Sequence, residues 1–192
     1  MSSTGHAGAY DEGVIKFNAA HDTRRLDTRV YGDLACKLVA WREIMAKTQL
    51  VGQDPGRYGG AGYGNVSGRV SAPAAGRGER SFLITGTQTG GTQCLSLDHF
   101  CVVSRYDYNK NSVVSQGPIN PSSESMTHGA IYDLAPQIRF VLHAHTPLIW
   151  TRGKELRIPT TDPSVPYGTP EMAREMHRLF RTTTLPELRI LS

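Results

Sequence analysis

Cysteine is scarce: Cys36, Cys94 and Cys101 are the only three in 192 residues. They are odd in number and far apart. That excludes a disulfide framework and fits a reducing, cytoplasmic setting with inert, buried thiols. Long apolar runs are missing as well. No stretch approaches the roughly 20 residues of a membrane-crossing helix, so no membrane partner is expected. The net charge is +4, yet Arg24–Arg25 is the only adjacent pair of cations. Without a basic block, nucleic acid is a poor partner, whereas a small anionic substrate suits the mild positive balance. The opening "MSSTGHAGAY" lacks the charged-then-apolar pattern of a leader and reads as a loose tail. Repeats, low-complexity blocks and linkers are absent. One globular domain with a sizeable core remains.

What is present mixes helix and strand signals without a strict βαβ rhythm. Residues 28–48 place Leu34, Leu38, Trp41 and Met45 at helical spacing, predicting an amphipathic helix with that stripe on the core. A glycine-rich passage follows, then "SFLITG" (81–86) and "FCVVSRYDY" (100–108), which read as strands around the loop "TGTQTGGTQ" (85–93). "NPSSESMTHGAIYDL" (120–134) has the grammar of a helix start, with Ser122 or Ser123 as cap and Glu124 in the first turn. "IRFVLHAH" (138–145) is a strand, "PYGTPEMAREMHRLFR" (166–181) a turn and helix, and "LRILS" (188–192) a last strand.

The chemistry concentrates in the first of these last three. In a strand, residues two apart share a face. Val141, His143 and His145 then face one way, while Phe140, Leu142 and Ala144 face the other and pack on the core. Two neutral imidazoles side by side offer a bite for one divalent metal ion. The same pair can also be two histidines hydrogen-bonded at a strand end. Glu124, about twenty residues upstream, is a carboxylate that could serve as general base or further ligand. Alternatively it only complements the helix dipole. His128, one turn later, either orients Glu124 or packs. "GYGNVSGR" (62–69), "PSSE" (121–124) and "TGTQTGG" offer hydroxyls, an amide and free backbone N–H groups, the elements that cradle phosphate or carboxylate.

Taken in order, "GNVSGR", "FLITGTQTG", "PSSE" with a histidine four residues on, "VLHAH" and "YGTPEMA" resemble the class II aldolase/adducin family. Fuculose-phosphate aldolase and ribulose-phosphate 4-epimerase are among that family's enzymes. The resemblance implies a three-layer α/β/α sandwich around a mainly antiparallel sheet over residues 28–192, preceded by a tail and lead-in, 1–27. It implies a homotetramer with active sites between subunits, and a lyase or epimerase of carbohydrate metabolism working through a metal-stabilised enediolate. His143 and His145 would hold the divalent metal, chiefly Zn2+, with Fe2+, Mn2+ or Co2+ as alternatives. Glu124 would be the acid/base. Gly64, Asn65, Thr89, Gly90, Ser122 and Ser123 would bind substrate or its phosphate.

The pattern departs from the family in two places. The family's third metal-ligand histidine follows a strand that here is "LRILS", so the resemblance implies a chain shortened at its C-terminus, with that ligand beyond Ser192. His177 sits inside a helix and does not replace it. "TGTQTGG" is also longer than the aldolases' tight Thr-Pro-x-Gly turn, which leaves a non-phosphorylated acid or sugar open. Two further readings stand beside the lyase: an Fe(II) oxygenase using Glu124, His143 and His145 as a two-His, one-carboxylate triad, and a non-catalytic, adducin-like interaction module. Tyr167 is either a proton donor or turn packing.

Overall fold

A computed structural model describes residues 13–192; the tail reading of "MSSTGHAGAY" lies outside them. The elements run β1 (Asn18–Thr23), α1 (Thr28–Lys47), β2 (Gly52–Gln53), β3 (Gly62–Tyr63), β4 (Asn65–Arg69), β5 (Phe82–Thr85), β6 (Phe100–Asp107), β7 (Ser112–Gly117), α2 (Ser125–Leu134), β8 (Phe140–His143), α3 (Pro147–Trp150), α4 (Pro170–Thr182) and α5 (Leu185–Leu188). One six-stranded sheet has the order β1-β7-β6-β5-β4-β8, and β2 and β3 form a small separate ladder. The sheet is mixed: β1 pairs in parallel with β7, and the other neighbours pair antiparallel. The segment before α1, expected to be a lead-in, contributes β1, which lies parallel to β7.

Alternation along the central strands makes the layers. Phe82, Ile84, Cys101 and Val103 enter one core with Met126 and Tyr132 of α2. Leu83, Phe100 and Val102 enter the other with Ala35, Leu38 and Met45 of α1. Each such side chain, fully buried, contributes about 2 kcal/mol. α2 is buried on most sides, Ser125, His128 and Asp133 included, and α4 covers its outer side, with Ala130 against Ala173, Met176 and Leu179.

Several local expectations are corrected. The buried stripe of α1 is Ala35, Leu38, Arg42 and Met45, while Trp41 is 55% exposed. Arg42 takes the buried place expected for Trp41, and its guanidinium lies under the loop after β5. There Nη2 donates to the carbonyls of Thr89, at 3.1 Å, and Gly90. Phe140 and Leu142 do not pack in the core. They lie 46% and 45% exposed, because β8 is an edge strand and its α1 side opens as an apolar groove shared with Leu38 and Trp41. Val141 faces the α2 core instead. Ser122 and Ser123 do not cap α2: Glu124 occupies that position and caps with no side-chain bond, and Ser122 Oγ accepts the Glu124 N–H at 3.3 Å. Residues 188–192 are not a strand. Arg189 takes a left-handed φ of 56° after α5, and Ser192 is held by backbone bonds to Pro159 and Thr161 and by its hydroxyl, 3.1 Å from Thr160 Oγ1, with no ladder partner. Cys36 and Cys94 are exposed; Cys101 alone is buried, its thiol pushed up to about 12 by desolvation.

Candidate functional site

The site grows from the β4–β8 pairing, whose register sets Asn65 opposite His143. Gly64 makes that start of β4 reachable. Its φ is +75°, and a Cβ there would meet Val51 Cγ1 at 2.4 Å and the His143 carbonyl oxygen at 3.0 Å. Across the ladder, Asn65 Nδ2 lies 3.2 Å from His143 Nδ1. His145 falls just past the end of β8, and its N–H donates to the Leu50 carbonyl at 2.8 Å. Even so, the two rings remain neighbours, with centroids 4.8 Å apart and planes inclined by 51°.

Aromatic side chains enclose His145. The Tyr58 ring meets it edge-on at 4.9 Å and the Tyr63 ring at 5.3 Å. Arg57 lies over the Tyr63 ring at 4.4 Å and donates to the Tyr63 hydroxyl at 3.1 Å. Tyr58 is held at φ 51°, a left-handed conformation that costs a bulky residue about 1 kcal/mol and marks a site where the surroundings over-determine the backbone. Burial keeps both imidazoles neutral. It lowers His143 to about 4. It lowers His145 to about 3, with the neighbouring His143 and Arg57 adding to the effect.

Glu124 opens α2 and is 9% exposed. Desolvation raises its carboxyl from 4.5 to about 7, with the Thr127 side chain and the Lys16 ammonium pulling the other way. His128 does not orient that carboxyl. Its Nδ1 pairs with Ser67 Oγ at 2.7 Å, and Ser67 Oγ pairs in turn with the Tyr132 hydroxyl at 2.7 Å. These bonds pin two turns of α2 to β4. Burial, and then the charge of nearby His143, lower His128 to about 3.

Beside these groups is a small polar cavity of about 20 Å³. Gly64, Asn65, Thr89, Gly90, Ser122 and Ser123 all line it. Three segments distant in sequence thus meet, each held by a visible device. Gly64 supplies the turn into β4, Arg42 anchors the Thr89–Gly90 loop from below, and a Gly86–Pro121 bridge ties that loop's start to the serine segment. Every lining side chain is neutral.

Some expected groupings do not form. Among the described residues, no three His, Cys, Asp or Glu side chains come close enough to hold one metal. Glu124, His143 and His145 are therefore not assembled as a two-His, one-carboxylate triad. Tyr167 lies under the Lys16 ammonium, 3.8 Å from its ring centre, and its hydroxyl donates to the Val14 carbonyl at 3.4 Å. The sequence reading missed Arg42, Arg57, Tyr58, Tyr63 and Lys16. Only Arg42 left a trace, as a cation breaking an apolar helical stripe. The aromatic enclosure depends on a chain reversal that glycine-rich spacing permits but does not specify.

The donor chemistry suits a divalent ion: two adjacent, half-buried imidazoles, to which the described residues supply no third companion. No curated protein matches the chain. The model of one family does, that of the class II aldolase and adducin N-terminal domain, and it matches residues 56–181, nearly all of the site just described. The chain therefore belongs to the class II aldolase and adducin family.

Proposed function

We propose that the protein is a divalent-metal-dependent lyase or epimerase acting on a small, anionic hydroxy-carbonyl substrate. The observation that supports this most is the convergence of the close His143–His145 pair, through Asn65, with a neutral cradle of hydroxyls and backbone amides. His143 and His145 would hold the ion, with zinc the best match to paired imidazoles. Such an ion supplies Lewis-acid polarisation of a carbonyl. The protein's own residues do the remainder. Gly64, Asn65, Thr89, Gly90, Ser122 and Ser123 bind and orient the anionic or hydroxylated end. Glu124, poised at about 7 by burial, holds or releases a proton near neutrality, as making and quenching a carbanion requires. Tyr58 and Tyr63 keep water from His145.

Two donors from the described residues predict weak zinc binding, lost on passage through chelator. The test is elemental analysis and retro-aldol or epimerisation assays on sugar phosphates and hydroxy acids, with zinc and with chelator. His143→Ala and His145→Ala should each remove the residual zinc and the zinc-dependent turnover while leaving the circular dichroism unchanged. Turnover that survives chelation and both substitutions would overturn the proposal. A protein that takes up no metal and turns over nothing would instead be a non-catalytic, adducin-like module.

A further inference from the structure

We propose that Asn65 is a positioning residue that sets which ring nitrogen of His143 carries the proton, and that the same amide transmits that choice to the anion cradle. The inference rests on the metal reading above. Asn65 is 7% exposed. Its Nδ2 faces His143 Nδ1 at 3.2 Å, and its Oδ1 is buried with no hydrogen-bond partner among the described residues. Leaving a buried carbonyl oxygen unpaired is unfavourable, because the group gives up its hydrogen bonds to water and gains none in return. The chain does not escape this by slipping, because the ladder fixes Asn65 opposite His143 and Gly64 fixes the turn before it.

A carboxamide accepts on one side and donates on the other, so its two orientations match the two neutral imidazole tautomers. With Nδ2 toward the ring, Nδ1 accepts and Nε2 carries the proton. With Oδ1 toward the ring, Nδ1–H donates and Nε2 presents a lone pair, the arrangement that a hydrogen-bonded metal-ligand histidine uses. This second orientation gives Oδ1 a partner but leaves Nδ2 without one until an anion enters the cradle, so the empty protein gains nothing by turning the amide over. The turn does free Nδ2 to donate within the cradle that Asn65 lines together with Ser122 and Ser123. A metal-ready His143 and an anion-ready cradle are thus one state of one side chain. Each ligand favours the other without any backbone movement.

The test uses the full chain with 15N-labelled histidine, first without metal. Long-range proton–nitrogen correlation identifies the His143 tautomer in wild type, N65D and N65A. Wild type should carry the proton on Nε2. N65D offers an oxygen whichever way it turns and should move that proton to Nδ1. In zinc titrations, N65A should bind about tenfold more weakly than wild type, and N65D at least as tightly as wild type. With inorganic phosphate as the probe, zinc should tighten phosphate binding to wild type but not to N65D, which has lost the donor. The same tautomer in wild type and N65D, or equal zinc affinity in wild type and a folded N65A, overturns the proposal. If no variant takes up zinc while N65D still moves the ring proton, the metal reading fails and the tautomer control stands.

Discussion

Replacing Glu124 by glutamine should change how stability depends on pH, and the change can be worked from burial. Folding raises the Glu124 carboxyl from 4.5 to about 7. The folded state therefore binds the proton more tightly than the unfolded chain does. The stability this contributes is complete below pH 4.5 and is lost as pH rises through 7. At ~1.4 kcal/mol per pH unit, the full difference is up to about 3 kcal/mol, of which about 2.5 falls between pH 5 and 8.5. Glutamine keeps the shape and lacks the titration. In chelator-treated protein, E124Q should gain about 2.5 kcal/mol relative to wild type across that range. Taking a urea slope of ~2 kcal/mol per molar, the gap between the two midpoints should move by about 1 M. Histidine titrations, which run the opposite way, appear equally in both proteins and cancel in the difference. Midpoints that run parallel from pH 5 to 8.5 would show that Glu124 is ionised at ordinary cost, and its assignment as a proton carrier near neutrality would fall with that.

Gly64→Ala should destabilise the protein by about 2 kcal/mol or more, since it imposes both a left-handed φ and a Cβ contact of 2.4 Å with Val51; an unchanged thermal midpoint would mean the turn rebuilds freely. The metal-free protein should lose stability as pH falls below 6.5, because folding lowers His128 and His145 to about 3 and His143 to about 4. The folded state binds fewer protons here, so this contribution is complete above 6.5 and disappears toward acid. H128Q should flatten that decline by up to ~1.4 kcal/mol per pH unit, measured by urea unfolding between pH 7.5 and 5; equal slopes would contradict a buried neutral His128. Native protein should react rapidly with a thiol reagent at Cys36 and Cys94, and at Cys101 only after unfolding, with mass mapping of the labelled peptides as the check.

The polar motifs are more legible in the sequence than the apolar faces. The loops "GYGNVSGR", "TGTQTGG" and "PSSE" stand out by their backbone and hydroxyl chemistry. The family resemblance points within them to Gly64, Asn65, Thr89, Gly90, Ser122 and Ser123, and these six line one cavity. Such residues work locally, through turns and free N–H groups, so their types carry the information. Phe140 and Leu142 were misassigned for the opposite reason. Whether an apolar side chain on a strand is covered depends on what packs over it, and β8 sits at the sheet edge. Trp41 failed in the same way. A helical stripe fixes which residues are adjacent but leaves its edges to the partner, and here Arg42, bonded to Thr89 and Gly90, takes the buried place beside Leu38 and Met45 that Trp41 is expected to fill. β1 was invisible because "NAAHDT" has no strand character of its own and gains its conformation from pairing with β7.

Charge is distributed around the site by the same economy. Ionised groups are expensive to bury without partners, and the site accordingly holds neutral forms: buried His128 and half-buried His143 and His145, all lowered below the physiological range, and a carboxyl raised into it. The cations stand one layer out, each engaged elsewhere. Arg57 is on the tyrosine pair, Arg42 on the carbonyls of the loop after β5, and Lys16 over Tyr167. Their charges still reach inward, since Arg57 acts on His145 and Lys16 on Glu124. A neutral, desolvated centre ringed by positive charge favours an anion in the cradle. By itself it disfavours a cation at the imidazoles, because that ion must first be compensated. On this arrangement an anionic substrate and a divalent ion each correct the electrostatic deficit the other creates, which makes joint occupancy better than either alone.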